Sequence, residues 1–156
     1  SVFAKSTTAL VDIEAEDTAI VTLKFKNGAL GIIEATTAAR PKDLEGSISI
    51  LGETGMVEIG GFAVNEMKHW NFSEALPGDD DVFEKFSVNP PNVYGFGHQA
   101  YYEHVVDCIN SKKQALVDGL QGRKSLELIN AIYESIETGK EVFLFFNSKK
   151  SRLGKS

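Results

Sequence analysis

Gly95-Phe96-Gly97-His98-Gln99-Ala100 has the form G-x-G-x-x-A. That arrangement opens a dinucleotide-binding helix when it follows a buried strand. Here the residues just ahead are Asn89, Pro90, Pro91 and Asn92. Consecutive prolines do not fit a central parallel strand, so the glycines read as a tight turn into a helix. The start of that helix still offers chemistry. His98 falls in its first turn, with Tyr94, Tyr101 and Tyr102 close in sequence. Free N–H groups at a helix start attract anions. Tyr and His combine flat surface with hydrogen bonding, which suits a sugar or nucleotide-sugar ligand. Tyr101 is assigned to the core, whereas Tyr94 and His98 stand as candidates for ligand contact. Arg40 and Lys42 are two cations at a strand exit. They could hold a carboxylate or diphosphate, but a solvated loop is the safer reading.

The remaining reactive types carry less. His98 and His104 are six residues apart on one helix, which puts them on different faces and argues against a two-His metal site. His69 beside Trp70 reads as surface or strand edge. Cys108, the single cysteine, lies on an apolar stripe and reads as an inert core thiol. There is no G-x-S-x-G elbow for a serine nucleophile. Asn71-Phe72-Ser73 has the form of a glycosylation acceptor and is taken as chance.

The elements that must position these residues centre on residues 18–38. Two β-rich runs flank Asn27-Gly28, a pair that tolerates the positive φ of a tight hairpin turn. Ile20, Thr22, Lys24 and Lys26 fall on one face of the first run, and Val21, Leu23 and Phe25 on the other. The second run, with Leu30, Ile32 and Ile33, reads as covered on both sides. Before the hairpin come a strand within residues 1–11 and an acidic connector over 12–17, read as a solvated loop. After it, Pro41 stops the strand. Residues 47–51 and 56–59 form a second strand pair around Gly52-Glu53-Thr54-Gly55, and 62–72 reads as a further strand with Val64 and Met67 partly buried. Residues 73–92, with Pro77-Gly78, Asp79-Asp80-Asp81 and Pro90-Pro91, form a long irregular excursion of a kind that is often functional. A helix over 98–110 would bury Tyr101, Val105, Cys108 and Ile109. A second over 119–138 would bury Leu126, Ile129, Tyr133 and Ile136, capped by Asp118 with Gln121 and ended at Gly139. Residues 142–146 read as a last strand. The order specifies an α+β fold: an open, mostly antiparallel sheet with helices packed on one face. The other face is expected to meet another subunit or domain.

Bulk properties bound the function. The chain has 156 residues, one domain's worth. A net charge of −6 argues against a nucleic-acid partner. A single cysteine excludes an internal disulfide and points to a reducing compartment, the cytoplasm. No apolar run reaches the ~20 residues that span a bilayer, so no membrane partner is expected. The start, Ser1-Val2-Phe3-Ala4-Lys5, reads as a strand already under way, as in a piece of a longer protein.

Several segments together resemble one family. They are Glu16-Asp17-Thr18-Ala19, residues 23–31, Glu34-Ala35-Thr36-Thr37-Ala38, Ile50-Leu51-Gly52-Glu53-Thr54-Gly55-Met56-Val57, Gly97-His98 with Val105 and Ile109, and 117–135. In order and spacing they are similar to the C-terminal domain of the Gfo/Idh/MocA oxidoreductases. Residues 89–98 look like the branch that oxidises C3 of a UDP-N-acetylglucosamine uronic acid, on the route to diamino-uronic acids of bacterial O-antigen. The resemblance implies an N-terminal Rossmann half that binds NAD or NADP and carries the catalytic Lys and an Asp/His pair. None of these motifs matches in this sequence. Residues 1–146 would then be the substrate-binding and oligomerising half, with a frayed basic tail at 147–156. By itself this half would bind no cofactor or metal and would carry no catalytic residue. By position, Arg40, Lys42, Tyr94 and His98 would face a sugar or UDP-sugar substrate, and the open sheet face would join dimers or tetramers. The alternatives are a non-catalytic binding or assembly module of the same fold, or a family member acting on an inositol or simple aldose.

Overall fold

The computed structural model describes residues 1–92 and 94–144. The elements run β1 (Val2–Thr7), β2 (Thr18–Lys24), β3 (Leu30–Thr36), β4 (Ile48–Leu51), β5 (Gly55–Gly60), β6 (Glu66–Phe72), α1 (Val82–Phe86), α2 (Gly97–Ser111) and α3 (Gly119–Thr138). The fold is α+β with open antiparallel pairing, as the element order implied, and the strands form two sheets where the sequence reading has one. The described residues divide into two compact units, 1–40 with 116–144 and 41–115.

In the first unit β1, β2 and β3 form an antiparallel sheet in that order. Alternation sorts its two faces. Val2, Ala4 and Val21 are buried and pack with Ala131 of α3, joined by the half-buried Leu23, Leu128, Ile132 and Ile136. The opposite face, aligned by the pairs Phe3↔Thr22, Thr22↔Ile32 and Lys24↔Leu30, is open. Ile20, Leu30 and Ile32 on it are exposed. Leu30, Ile32 and Ile33 are therefore not covered on both sides: β3 is an edge strand, and the helix lies over β1.

The hairpin turn also differs from the two-residue form. Only Gly28 takes positive φ, at 92°. Phe25 accepts from the Gly28 N–H and donates its own N–H to the Ala29 carbonyl, while the Asn27 side chain accepts from the Ala29 N–H. This is a turn followed by one left-handed glycine, the common three-residue hairpin loop.

α3 is capped as its sequence implies. The Asp118 carboxylate accepts from the Gln121 N–H at 2.9 Å, and Gly139, with φ of 65°, ends the helix by donating to the Ser135 carbonyl. Its buried stripe is rotated from the expected one. Ala131 and Ser135 are buried, whereas Leu126, Ile129 and Tyr133 are exposed and only Ile136 keeps its assigned place. Small side chains let the helix approach the sheet, so the closest line is set by Ala131 and Ser135 and not by the largest apolar residues. Among the described residues the last strand is represented by one antiparallel bridge, Val2↔Val142. Residues 145 and 146 of that expected strand, and the tail at 147–156, lie outside the described residues.

In the second unit β4, β5 and β6 form another antiparallel sheet, irregular in register at Glu58/Ile59. The expected strand over 62–72 begins only at Glu66, because Gly61 and Val64 both take positive φ and turn the chain first. The stretch 73–92 is less irregular than its composition implied. It contains a 3-10 turn at Asp79–Asp81 and then α1, whose Val82 is buried, and α1 packs on β6. Asn65 ties the return of the chain down, donating to the Val88 carbonyl at 3.1 Å and the Asn89 side chain at 2.8 Å. α2 has no buried residue. Val105 and Cys108 of the expected stripe are half-buried, while Tyr101 and Ile109 are exposed. Among the described residues no helix is long and apolar enough to cross a membrane.

Candidate functional site

The turn into α2 is built by Asn92. Its side chain accepts from the Tyr94 N–H at 3.0 Å and its carbonyl from the Gly95 N–H at 3.2 Å. Gly95, with φ of 68°, then reverses the chain without the steric cost a side chain would incur. α2 starts at Gly97 from Phe96, and no side chain caps its first turn.

This turn brings Tyr94 and His98 together. Their rings meet edge to face, 5.9 Å between centroids and 88° between planes. His98 Nδ1 lies 3.3 Å from the Tyr94 carbonyl oxygen. A carbonyl can only accept, so the contact is a hydrogen bond in the tautomer that carries its proton on Nδ1. Nε2 is then the ring nitrogen available to a ligand. Tyr94 is 72% exposed, which leaves its ring and hydroxyl accessible. Tyr101, expected in the core, is exposed too and meets the Tyr102 ring at 5.8 Å. The four aromatic or imidazole side chains thus line the exposed start of one helix.

Arg40 and Lys42 are both exposed. Arg40 closes the first unit and Lys42 lies in the second. The Arg40 guanidinium donates to the neighbouring Ala39 carbonyl at 2.9 Å.

Among the described residues the G-x-G-x-x-A pattern lacks the strand-to-helix setting of a dinucleotide fingerprint. No strand runs through the described residues just ahead of it, and α2 follows an irregular segment. Among the described residues no three His, Cys, Asp or Glu side chains gather to hold a metal ion. Cys108 is half-buried, with Sγ 3.5 Å from His104 Nε2 and 3.7 Å from the Gln114 carbonyl oxygen. The spacing of four between His104 and Cys108 was the available signal for this pair.

One residue was misjudged outright. Asp17, assigned to a solvated acidic loop, is 2% exposed. Its Oδ2 accepts from the N–H groups of Ala9, Leu10 and Val11 at 2.8, 2.6 and 3.0 Å. The Leu10 and Val11 bonds, with smaller help from Ala9 and the Thr18 hydroxyl, outweigh burial and hold its carboxyl at about 2. Beside it, Glu16 accepts from the Tyr133 hydroxyl at 2.8 Å.

Comparison with known proteins places this architecture. The chain is 42% identical to the WlbA dehydrogenase from Bordetella pertussis over 93% of its length, with a TM-score of 0.83; that structure is a complex with NADH and UDP-GlcNAcA. It is 43% identical to the WlbA dehydrogenase from Chromobacterium violaceum over 94% of its length, with a TM-score of 0.84, again a complex with NADH and UDP-GlcNAcA. It spans only 42% and 40% of those two chains. An oxidoreductase domain protein from Kribbella flavida, at 18% identity and a TM-score of 0.69 over 89% of this chain and 42% of its own, shares the fold. No curated protein sequence matches significantly. The sequence profile of the oxidoreductase family, C-terminal alpha/beta domain, matches residues 2–144, and the chain belongs to this Gfo/Idh/MocA C-terminal domain family.

Proposed function

We propose that this chain is the substrate-binding and oligomerising half of an NAD(P)-dependent sugar oxidoreductase, acting on a UDP-N-acetyl-hexosaminuronate at C3. The supporting observation is the identity of 42% and 43%, over nearly the whole chain, to two dehydrogenases solved with NADH and UDP-GlcNAcA. On this reading the chain binds and orients the sugar nucleotide, and the cofactor belongs to the remainder of the protein. Positioning of this kind speeds a reaction by fixing the reacting carbon before the chemical step.

The residues fit the role by chemistry. Tyr94 offers a flat face and a hydroxyl, and His98 offers Nε2, at a helix start whose first turn lacks a side-chain cap. Arg40 and Lys42 supply positive charge for a diphosphate in a chain whose net charge is −6. Association through the open face of the β1–β2–β3 sheet and a cytoplasmic location complete the proposal.

The test is the double substitution of Arg40 and Lys42 by Ala in the full-length protein. We expect UDP-GlcNAcA affinity to fall by roughly fivefold or more, while kcat changes little. Unchanged affinity would remove both residues from the substrate site.

A further inference from the structure

A concavity away from Tyr94 and His98 in sequence is made by a single stretch of chain. Trp70, Asn71 and Phe72 from the end of β6, Ala75, and Asp79, Asp80 and Phe83 around the start of α1 line a cavity of about 370 Å³. Its aromatic wall is held in place. The Trp70 indole N–H donates to Asp79 Oδ1 at 2.9 Å, and Asp79 Oδ2 accepts from the Leu76 N–H at 2.6 Å. Those two bonds, the Leu76 one foremost, hold the Asp79 carboxyl below the usual carboxylate range. Phe72 meets Trp70 edge to face at 5.1 Å. Phe83 is 44% exposed, so part of its ring remains open to solvent.

The polar groups are not all consumed by the fold. Asp81 is paired with Lys85 at 2.8 Å, and Asp79 is used on both oxygens. The Asp80 carboxylate and the Asn71 amide are exposed. Residues 73–84 carry Glu74, Asp79, Asp80, Asp81 and Glu84 with no Lys or Arg among them. With Lys85 counted, residues 73–85 still carry five acids against one base, a balance that disfavours a diphosphate or uronate there. Three aromatic side chains beside an exposed carboxylate favour the opposite charge, because ring faces and carboxylate both attract a cation.

We propose that this cavity binds an ammonium or guanidinium group, seated against Trp70, Phe72 and Phe83 and paired with Asp80. The site shares no residue with the proposed sugar-nucleotide site and does not depend on it. The shared chemistry covers a free organic cation and a Lys or Arg side chain of a polypeptide.

Trp70 is the only tryptophan in the 156-residue protein, so its fluorescence reads the cavity directly. The probe is N-acetyl-arginine amide, with N-acetyl-citrulline amide as the uncharged isostere. We expect a saturable change with the arginine probe, at least roughly fivefold weaker binding of the citrulline probe, and a similar loss in Asp80→Asn. Asp80 is exposed, so this variant tests the charge with little risk to folding. No saturable change up to ~50 mM, equal binding of the two probes, or an unaltered response in Asp80→Asn each overturns the proposal. Where the site holds, tighter binding of a Gly-Arg-Gly peptide than of the amide assigns it to a polypeptide, and equal binding assigns it to a free cation.

Discussion

Asp17 shows how much one buried carboxylate can organise. Its side chain gathers the N–H groups of residues 9, 10 and 11, and its carbonyl accepts from the Thr37 N–H at 2.8 Å. The exit of β1, the start of β2 and the end of β3 are thereby tied at one point. The bonds favour the charged form, so the folded-state pKa of about 2 lies below the ordinary 3.8. A lowered carboxylate pKa contributes stability that is present above the ordinary value and lost as pH falls through the folded one. We expect the denaturation midpoint to drop between about pH 4 and pH 2, and Asp17→Asn to be less stable at neutral pH with that part of the pH dependence removed. Thermal melts across that range check it, and a variant with the parent's acid profile would deny Asp17 this role. Its neighbours Asp12, Glu14 and Glu16 concealed it in the sequence: a run of acids looks solvated, and only the curl of the loop shows which one points inward. Tyr94 and His98 were legible because a turn and a helix start put residues four apart side by side. The Asp79 acceptor of Trp70 was not.

At the scale of elements, α3 is the clearest case. Its ends were readable from Asp118 and Gly139, since caps depend on local backbone groups. Its phase was not, because Leu126, Ile129 and Tyr133 make as good a stripe as Leu128, Ile132 and Ile136. What selects the second is the contact with β1. Ser135, 0% exposed, accepts from the Ala4 N–H at 3.0 Å and donates to the Lys140 carbonyl at 2.7 Å. A larger residue there would hold helix and strand apart, and an apolar one would leave the buried Ala4 N–H and the Lys140 carbonyl without this partner. Ser135→Ala is expected to destabilise the protein by about 1–3 kcal/mol, the cost of leaving a buried donor or acceptor unmade. Chemical denaturation should show a lower midpoint with an unchanged slope. A shift within the error of the parent would mean that the hydroxyl is replaced without cost.

At the scale of the whole molecule, the open face of the β1–β2–β3 sheet dominates. Ile20, Leu30 and Ile32 are 51%, 79% and 72% exposed, on an edge strand and its neighbour. Apolar groups in that number on one face are costly to leave in water, about 25 cal/mol for each Å² of apolar surface. The proposed association through this face predicts that Ile32→Glu shifts the protein towards smaller species in sedimentation velocity while leaving the unit's own core intact. An unchanged sedimentation profile would place the contact elsewhere.

The sequence by itself determined most of the strands and the two long helices, their antiparallel pairing, the caps of α3 and the family. All of these follow from contacts a few residues apart or from motifs in fixed order, which the linear chain records directly. Only the tertiary structure decided which acid of the 12–17 run is buried, which stripe of α3 faces β1, and that Trp70 and Asp79 frame a cavity. These outcomes depend on how closely two distant surfaces approach, and that distance is set by side-chain size and by the donors each surface leaves unsatisfied.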